Sequence, residues 1–121
     1  MHNLTLFEAM LTTHFVMDWI FQRKWEEMNK DRKWIPLIVH CLIYTFGFIF
    51  VFWWYEINFL WLVLIFFSHL VLDRKKFVYW ILEKMKDMKK EETPEFLWQM
   101  FLIGTDQILH FIVLAAVVVF S

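Results

Sequence analysis

Apolar positions along this chain come in long runs rather than in alternation. Four runs approach the roughly 17–25 residues that a helix needs to cross the hydrocarbon of a bilayer. They cover about Leu4 to Gln22, Ile35 to Tyr55, Ile57 to Leu72 (the shortest), and Pro94–Phe96 to Phe120. Pro36 falls in the first turn of the second run, where proline is tolerated. Between the third and fourth runs, Phe77, Trp80, Ile81, Met85 and Met88 recur at helical spacing among Lys75, Lys76, Lys84, Lys86, Lys89 and Lys90. That pattern predicts a basic amphipathic helix over about 74–90, lying on a membrane surface among anionic headgroups. The pattern as a whole predicts an all-α, integral-membrane four-helix bundle in a single domain, residues 1–121.

Composition strengthens this. Hydrophobic residues make up 60% of the 121 positions, more than a soluble domain of this size could hide. Two glycines and two prolines leave little material for a β-rich or loop-rich fold. The apolar start lacks a basic leader and an A-x-A-like site, so no cleavable signal peptide is expected. Cys41 is the single cysteine, so no internal disulfide forms.

Net charge is near zero, but all 12 Lys and Arg residues fall within 23–33 and 74–90. Those segments follow the first and third runs and so share one side of the membrane, which the positive-inside rule makes cytoplasmic. Both termini and the WWYEIN turn (53–58) then face outward. Trp53, Trp54 and Tyr55 suit the outer aromatic belt, and Trp25, Trp34 and Trp80 the inner one. Because topology already demands these basic residues, nucleic acid is not an expected partner.

Ionisable residues inside the runs are the candidate chemistry. His14/Asp18, His69/Asp73 and Asp106/His110 are each four apart and share a helix face. The first and third helices run inward with His before Asp; the fourth runs outward with Asp before His. Each Asp therefore lies nearer the cytoplasm, with its His about 6 Å deeper. His40, with Tyr44 one turn later, falls at the same level, about 10 Å inside Lys33. His110 joins the layer if the fourth span leaves the surface near Phe101, with 95–100 as an interfacial first turn. The expectation is a layer of four His above three Asp near the cytoplasmic face. Carboxylates sharing such a pocket repel one another, and imidazole with carboxylate is a ligand set for zinc, iron or manganese. A divalent metal, zinc first, is one reading; a metal-free His–Asp hydrogen-bond or proton-relay network is the other. Ser68 lacks the flanking glycines of a nucleophile elbow, and Cys41 reads as a buried small residue.

The segments HFVMDWIFQ (14–22), HCLIY (40–44), HLVLDRKK (69–76) and DQILH (106–110) together resemble a family of small bacterial and phage integral-membrane proteins, the domain of unknown function 3307. The resemblance implies a multi-helix protein of the bacterial inner membrane. Its functional set, carried residue by residue, is His14, Asp18, Gln22, His40, Tyr44, His69, Asp73, Lys76, Asp106, Gln107 and His110. Gln22, Tyr44, Lys76 and Gln107 then stand beside the seven metal-ligand candidates. No activity comes with the resemblance.

Three functions stay open. The first is a metal-dependent hydrolase acting on a lipid or phosphate substrate at the cytoplasmic leaflet. The second is a structural or interaction protein whose polar layer specifies helix packing, with a homo-oligomer or a membrane-protein partner. The third is a transporter or channel for metal ions or protons, for which the apolar stretches 47–52 and 114–120 offer no polar path.

Overall fold

Long apolar runs without interior Gly/Pro clusters leave the backbone one economical way to satisfy its hydrogen bonds, the helix. The computed structural model describes residues 4–20 and 33–121, and every regular element among them is helical. Gln22, Trp25 and the basic segment 23–32 lie outside the described residues.

Helix α1 (Leu6–Phe15) opens with a capping box. Thr5 Oγ1 accepts the Glu8 N–H at 3.2 Å, and Glu8 Oε1 accepts the Thr5 N–H at 3.0 Å. It runs directly into a π-helical turn, Val16–Ile20. Helix α2 (Trp34–Trp54) carries Pro36 third in line, where a first-turn N–H has no intrahelical acceptor anyway. Helix α3 is Trp61–Asp73, α4 is Lys76–Lys84, and α5 is Glu95–Phe120, with a 3-10 turn at Lys90–Glu92 before it.

Two expected boundaries change for local reasons. The third helix begins at Trp61 rather than Ile57, because residues 55–60 make the reversal. Ile57 N–H reaches back to the Phe52 carbonyl at 2.9 Å and Glu56 N–H to Trp53 at 3.4 Å, with Glu56 left-handed at φ 58°. This is a Schellman closure with glutamate where glycine is usual. Asn58 Oδ1 then accepts the Leu60 N–H at 2.9 Å and starts α3. The basic helix spans Lys76–Lys84 rather than 74–90: left-handed Lys75 (φ 68°) separates it from α3, and left-handed Asp87 (φ 53°) lies in the turn beyond it. Its buried residues are Val78 and Leu82, packed with Trp98 and Leu102 of α5. Phe77 and Trp80, stacked in parallel, remain exposed.

Helix α1 packs on α2 and α5, and α3 also packs on α2 and α5, so four helices close a ring. At one end the ring is filled by Met10, Phe48, Val51, Phe52, Ile65, Leu114 and Val117, with Tyr44 at the edge of this cluster. The outward faces stay apolar: Leu42, Phe46 and Phe50 on α2, Phe67 and Val71 on α3, Ile108 and Ile112 on α5 are all exposed. Helices α2 and α5 are long and apolar enough to cross a membrane. Helix α3, at 13 residues, is about 20 Å long.

Candidate metal centre

The buried stripe of α5 reads Trp98, Leu102, Asp106, His110, Leu114, Val117, one residue per turn. Asp106 and His110 thus point inward because of their register. The same logic turns His40 and Tyr44 of α2, His69 and Asp73 of α3, and His14 of α1 into the ring. These four histidines are fully or almost fully buried, as is Asp73.

The π turn decides where Asp18 goes. The Val16 N–H still closes α1 on the Thr12 and Thr13 carbonyls, and the π turn follows over Val16–Ile20. A wider turn re-aims the side chains that follow it, and such turns recur at functional sites. His14 meets α2 and α5, while Asp18 Oδ1 reaches His40 Nε2 at 2.9 Å and His69 Nε2 at 3.6 Å. Asp73 Oδ2 completes this group, 2.9 Å from His40 Nε2 and 3.0 Å from His69 Nε2. Four ligand-type atoms from three parts of the chain therefore converge on one point.

With neutral imidazoles, the hydrogen bonds around the group assign its protons. His110 Nδ1–H donates to the Asp106 carbonyl at 2.7 Å, so its Nε2 carries a lone pair. That lone pair accepts from His69 Nδ1–H at 3.0 Å. His69 Nε2 must then also present a lone pair, and it does so 3.0 Å from a carboxylate oxygen and 2.8 Å from His40 Nε2. With both carboxylates ionised, only His40 Nε2 within the four-atom group is left to carry a hydrogen, and one N–H cannot serve three converging lone pairs. A cation at the centre removes the conflict. Tetrahedral ligands at about 2.0–2.1 Å from zinc lie about 3.3 Å from one another, and the observed separations of 2.8–3.6 Å bracket that value. The residues present therefore fit a divalent ion: Asp18, His40, His69 and Asp73 would hold it, and His110 and the Asp106 carbonyl orient His69.

A second group, Asp73, Asp106 and His110, shares Asp73 with the first. Asp73 Oδ1 lies 3.5 Å from His110 Nε2, but that nitrogen is already engaged by His69. The cation here is Lys75, whose Nζ is 3.5 Å from Asp106 Oδ1. His14, Tyr44 and Gln107 form a separate string. Tyr44 Oη–H donates to His14 Nδ1 at 2.6 Å, and His14 Nε2–H donates to Gln107 Oε1 at 2.9 Å. Gln107 Nε2–H donates to Asp106 Oδ2 at 3.3 Å. The Tyr44 ring also stacks on His69, 3.7 Å between centroids and 10° from parallel.

Of the sequence-derived candidates, His14, Asp18, His40, Tyr44, His69, Asp73, Asp106, Gln107 and His110 come together in this one interior. Gln22 is outside the described residues. Lys76 is exposed on α4, and its neighbour Lys75 meets the site instead. Nothing in the run RKK distinguishes the two; only the left-handed backbone at Lys75 does.

Among protein families, the model described as protein of unknown function, DUF3307, matches residues 6–121. The chain belongs to this family. The match spans every residue of the DUF3307 centre described above. Comparison with curated proteins and comparison with solved structures returned no match.

Proposed function

We propose that this DUF3307 protein is an integral-membrane four-helix bundle whose His–Asp layer holds a divalent metal near the cytoplasmic face. Zinc suits the ligand set first, and iron or manganese next. Both termini lie outside, in the inner membrane of a bacterium or on a phage-encoded protein placed there. Support for the membrane comes from apolar outward faces on α2, α3 and α5, and from the basic residues gathered at one end.

The single observation that carries the metal reading is the convergence of His40 Nε2, His69 Nε2, Asp18 Oδ1 and Asp73 Oδ2, which have too few protons to reconcile them when both carboxylates are ionised. A divalent ion held by Asp18, His40, His69 and Asp73 would supply Lewis-acid and water-activating chemistry of the kind used at phosphoryl or acyl centres. The chain's own groups do the rest. His110 holds the His69 tautomer, Asp18 lies on the less buried side of the group, and Lys75 supplies a positive charge beside Asp106. The activity that fits is hydrolysis of a lipid or phosphate substrate at the inner leaflet.

A second reading has its own support. The Tyr44–His14–Gln107–Asp106 string links each side chain to the next by a hydrogen bond without any ion, which suits a structural or interaction protein with a polar packing layer. Transport through a single chain is disfavoured by the apolar plug of Phe48, Phe52, Leu114 and Val117 beyond the layer.

Elemental analysis of detergent-purified protein, with lipid and phosphate turnover measured in parallel, separates these readings. Stoichiometric metal in the wild type, lost together with turnover in His69→Ala, is the expected result. A metal-free wild type whose His69→Ala variant changes only in thermal stability would hand the site to the structural reading.

A further inference from the structure

Arg74 directly follows the candidate ligand Asp73. Its guanidinium lies over the Trp34 ring, 4.4 Å from the centroid, at the first residue of α2. Its Nε and Nη1 are buried, and neither finds a hydrogen-bond acceptor among the described residues. Buried donors of a charged group are seldom left without an acceptor, because each forfeits its hydration for nothing in return. Arginine is also the side chain whose planar donors match a phosphate or carboxylate.

Lys75 is held in the left-handed region at φ 68°, a conformation that lysine adopts only when its surroundings impose it. The turn, closed by Lys75 N–H to the Leu72 carbonyl at 3.0 Å, sends the ammonium toward α5 and Asp106. The contact with Asp106 Oδ1 is an ion pair at 3.5 Å rather than a hydrogen bond, and with the side chain 20% exposed the ammonium keeps donors to turn outward. One cation therefore stands against α2 and the next against α5, both within two residues of Asp73 at the end of α3.

We infer that Arg74 and Lys75 form a subsite for a phosphate group at the basic end of the His–Asp centre. A tetrahedral oxyanion has oxygens for both cations and one more to turn toward the centre, where a carboxylate has only two in all. The phosphate belongs either to a lipid headgroup or to a small soluble phosphate. The inference rests on the metal reading only for what lies beneath the phosphate.

The test uses full-length protein in detergent, with inorganic phosphate as one probe and phosphatidic acid in phosphatidylcholine nanodiscs as the other. Calorimetry is run on zinc-loaded and chelator-treated protein. The variants are Arg74→Gln, Lys75→Asn (asparagine tolerates positive φ) and, as control, exposed Lys76→Gln, each checked for folding by its thermal transition. Losing a charge-assisted hydrogen bond weakens binding about tenfold or more, so Arg74→Gln and Lys75→Asn each lose that much while Lys76→Gln stays near wild type. Preference for inorganic phosphate supports a soluble substrate, and preference for phosphatidic acid a lipid one. A wild type that binds neither probe, or an equal loss in all three variants, overturns the subsite. Arg74-dependent phosphate binding by a protein that never holds stoichiometric metal keeps the subsite and removes the metal reading. Metal-loaded Arg74 and Lys75 variants that bind phosphate like the wild type remove the subsite alone.

Discussion

Gly47 tests how Asp18 is brought to the centre. It lies in α2 opposite the π turn, and a Cβ at this position would stand 2.4 Å from Met17 Cγ and 2.7 Å from Met17 Sδ. Ordinary carbon contacts are about 3.5–4.0 Å, so Gly47→Ala must push Met17 away by about 1 Å or more. Cγ is near the root of that side chain, so part of the movement falls on the backbone of the π turn, which carries Asp18 next in sequence. Overpacking costs about 1–3 kcal/mol, and the helix propensity gained by alanine offsets about 1 kcal/mol of it. The net stability loss is therefore about 0–2 kcal/mol, while the effect on the site is larger. Asp18 Oδ1 sits 2.9 Å from His40 Nε2, and metal ligands tolerate only about 0.2 Å of error. Metal affinity should fall about 10- to 100-fold, as it does when a supporting group is lost. Competition titration against a chelating dye measures this directly, with Gly104→Ala as the control, since nothing lies within 4 Å of a Cβ there. Met17→Ala in the Gly47→Ala background makes room again and should restore most of the affinity. If Gly47→Ala holds metal as tightly as Gly104→Ala, the close approach of α2 to the π turn does not position Asp18.

His110→Ala leaves His69 Nδ1–H without its acceptor and should lower metal affinity about 10- to 100-fold; His14→Ala, whose ring nitrogens face Tyr44 and Gln107, should change it by less than about threefold by the same reasoning. Tyr44→Phe keeps the stack on His69 but removes the donor to His14 Nδ1. The thermal transition should drop by an amount matching about 1–2 kcal/mol, with metal content unchanged, and loss of metal would contradict the separation of the two hydrogen-bond strings. Trp98 is buried against Val78 and Leu82 and stacks on Tyr79. Trp98→Ala should cost about 3–5 kcal/mol and raise amide exchange selectively in 76–84, whereas exchange spread evenly over the chain would count against local docking of α4.

Helix register was legible in the sequence because the polar residues sit on the same faces as the buried apolar ones. Leu102, Asp106, His110 and Leu114 share a stripe, so the inward direction of the pair followed from spacing alone. Side-chain partners were not legible. Spacing of four paired His14 with Asp18, yet the π turn sends them to different neighbours, and no composition rule announces a π turn. The reversal at 55–60 was hidden for a similar reason: its left-handed residue is Glu56, where a glycine would have marked the turn. Lys75 escaped because a run of three basic residues carries no information about which one the backbone bends inward. On α4 the apolar pattern offered two faces, and periodicity drew attention to Phe77 and Trp80 while packing uses Val78 and Leu82.

Charge balance links these particulars. Asp18, Asp73 and Asp106 bring three carboxylates to one interior, and with His14, His69 and His110 neutral these carry three negative charges. Uncompensated charge in a low-dielectric interior is strongly unfavourable, so groups of this kind are retained only with counter-charges beside them. Lys75 supplies one positive charge. A divalent ion in the four-atom group would supply the other two and bring the interior to neutrality without protonating any carboxylate. Arg74 then lies outside that balance, its donors buried and without acceptors among the described residues. Its positive charge falls at the basic end, directly after Asp73 and over Trp34, and it is an anion arriving there, rather than another cation, that the arrangement is suited to receive.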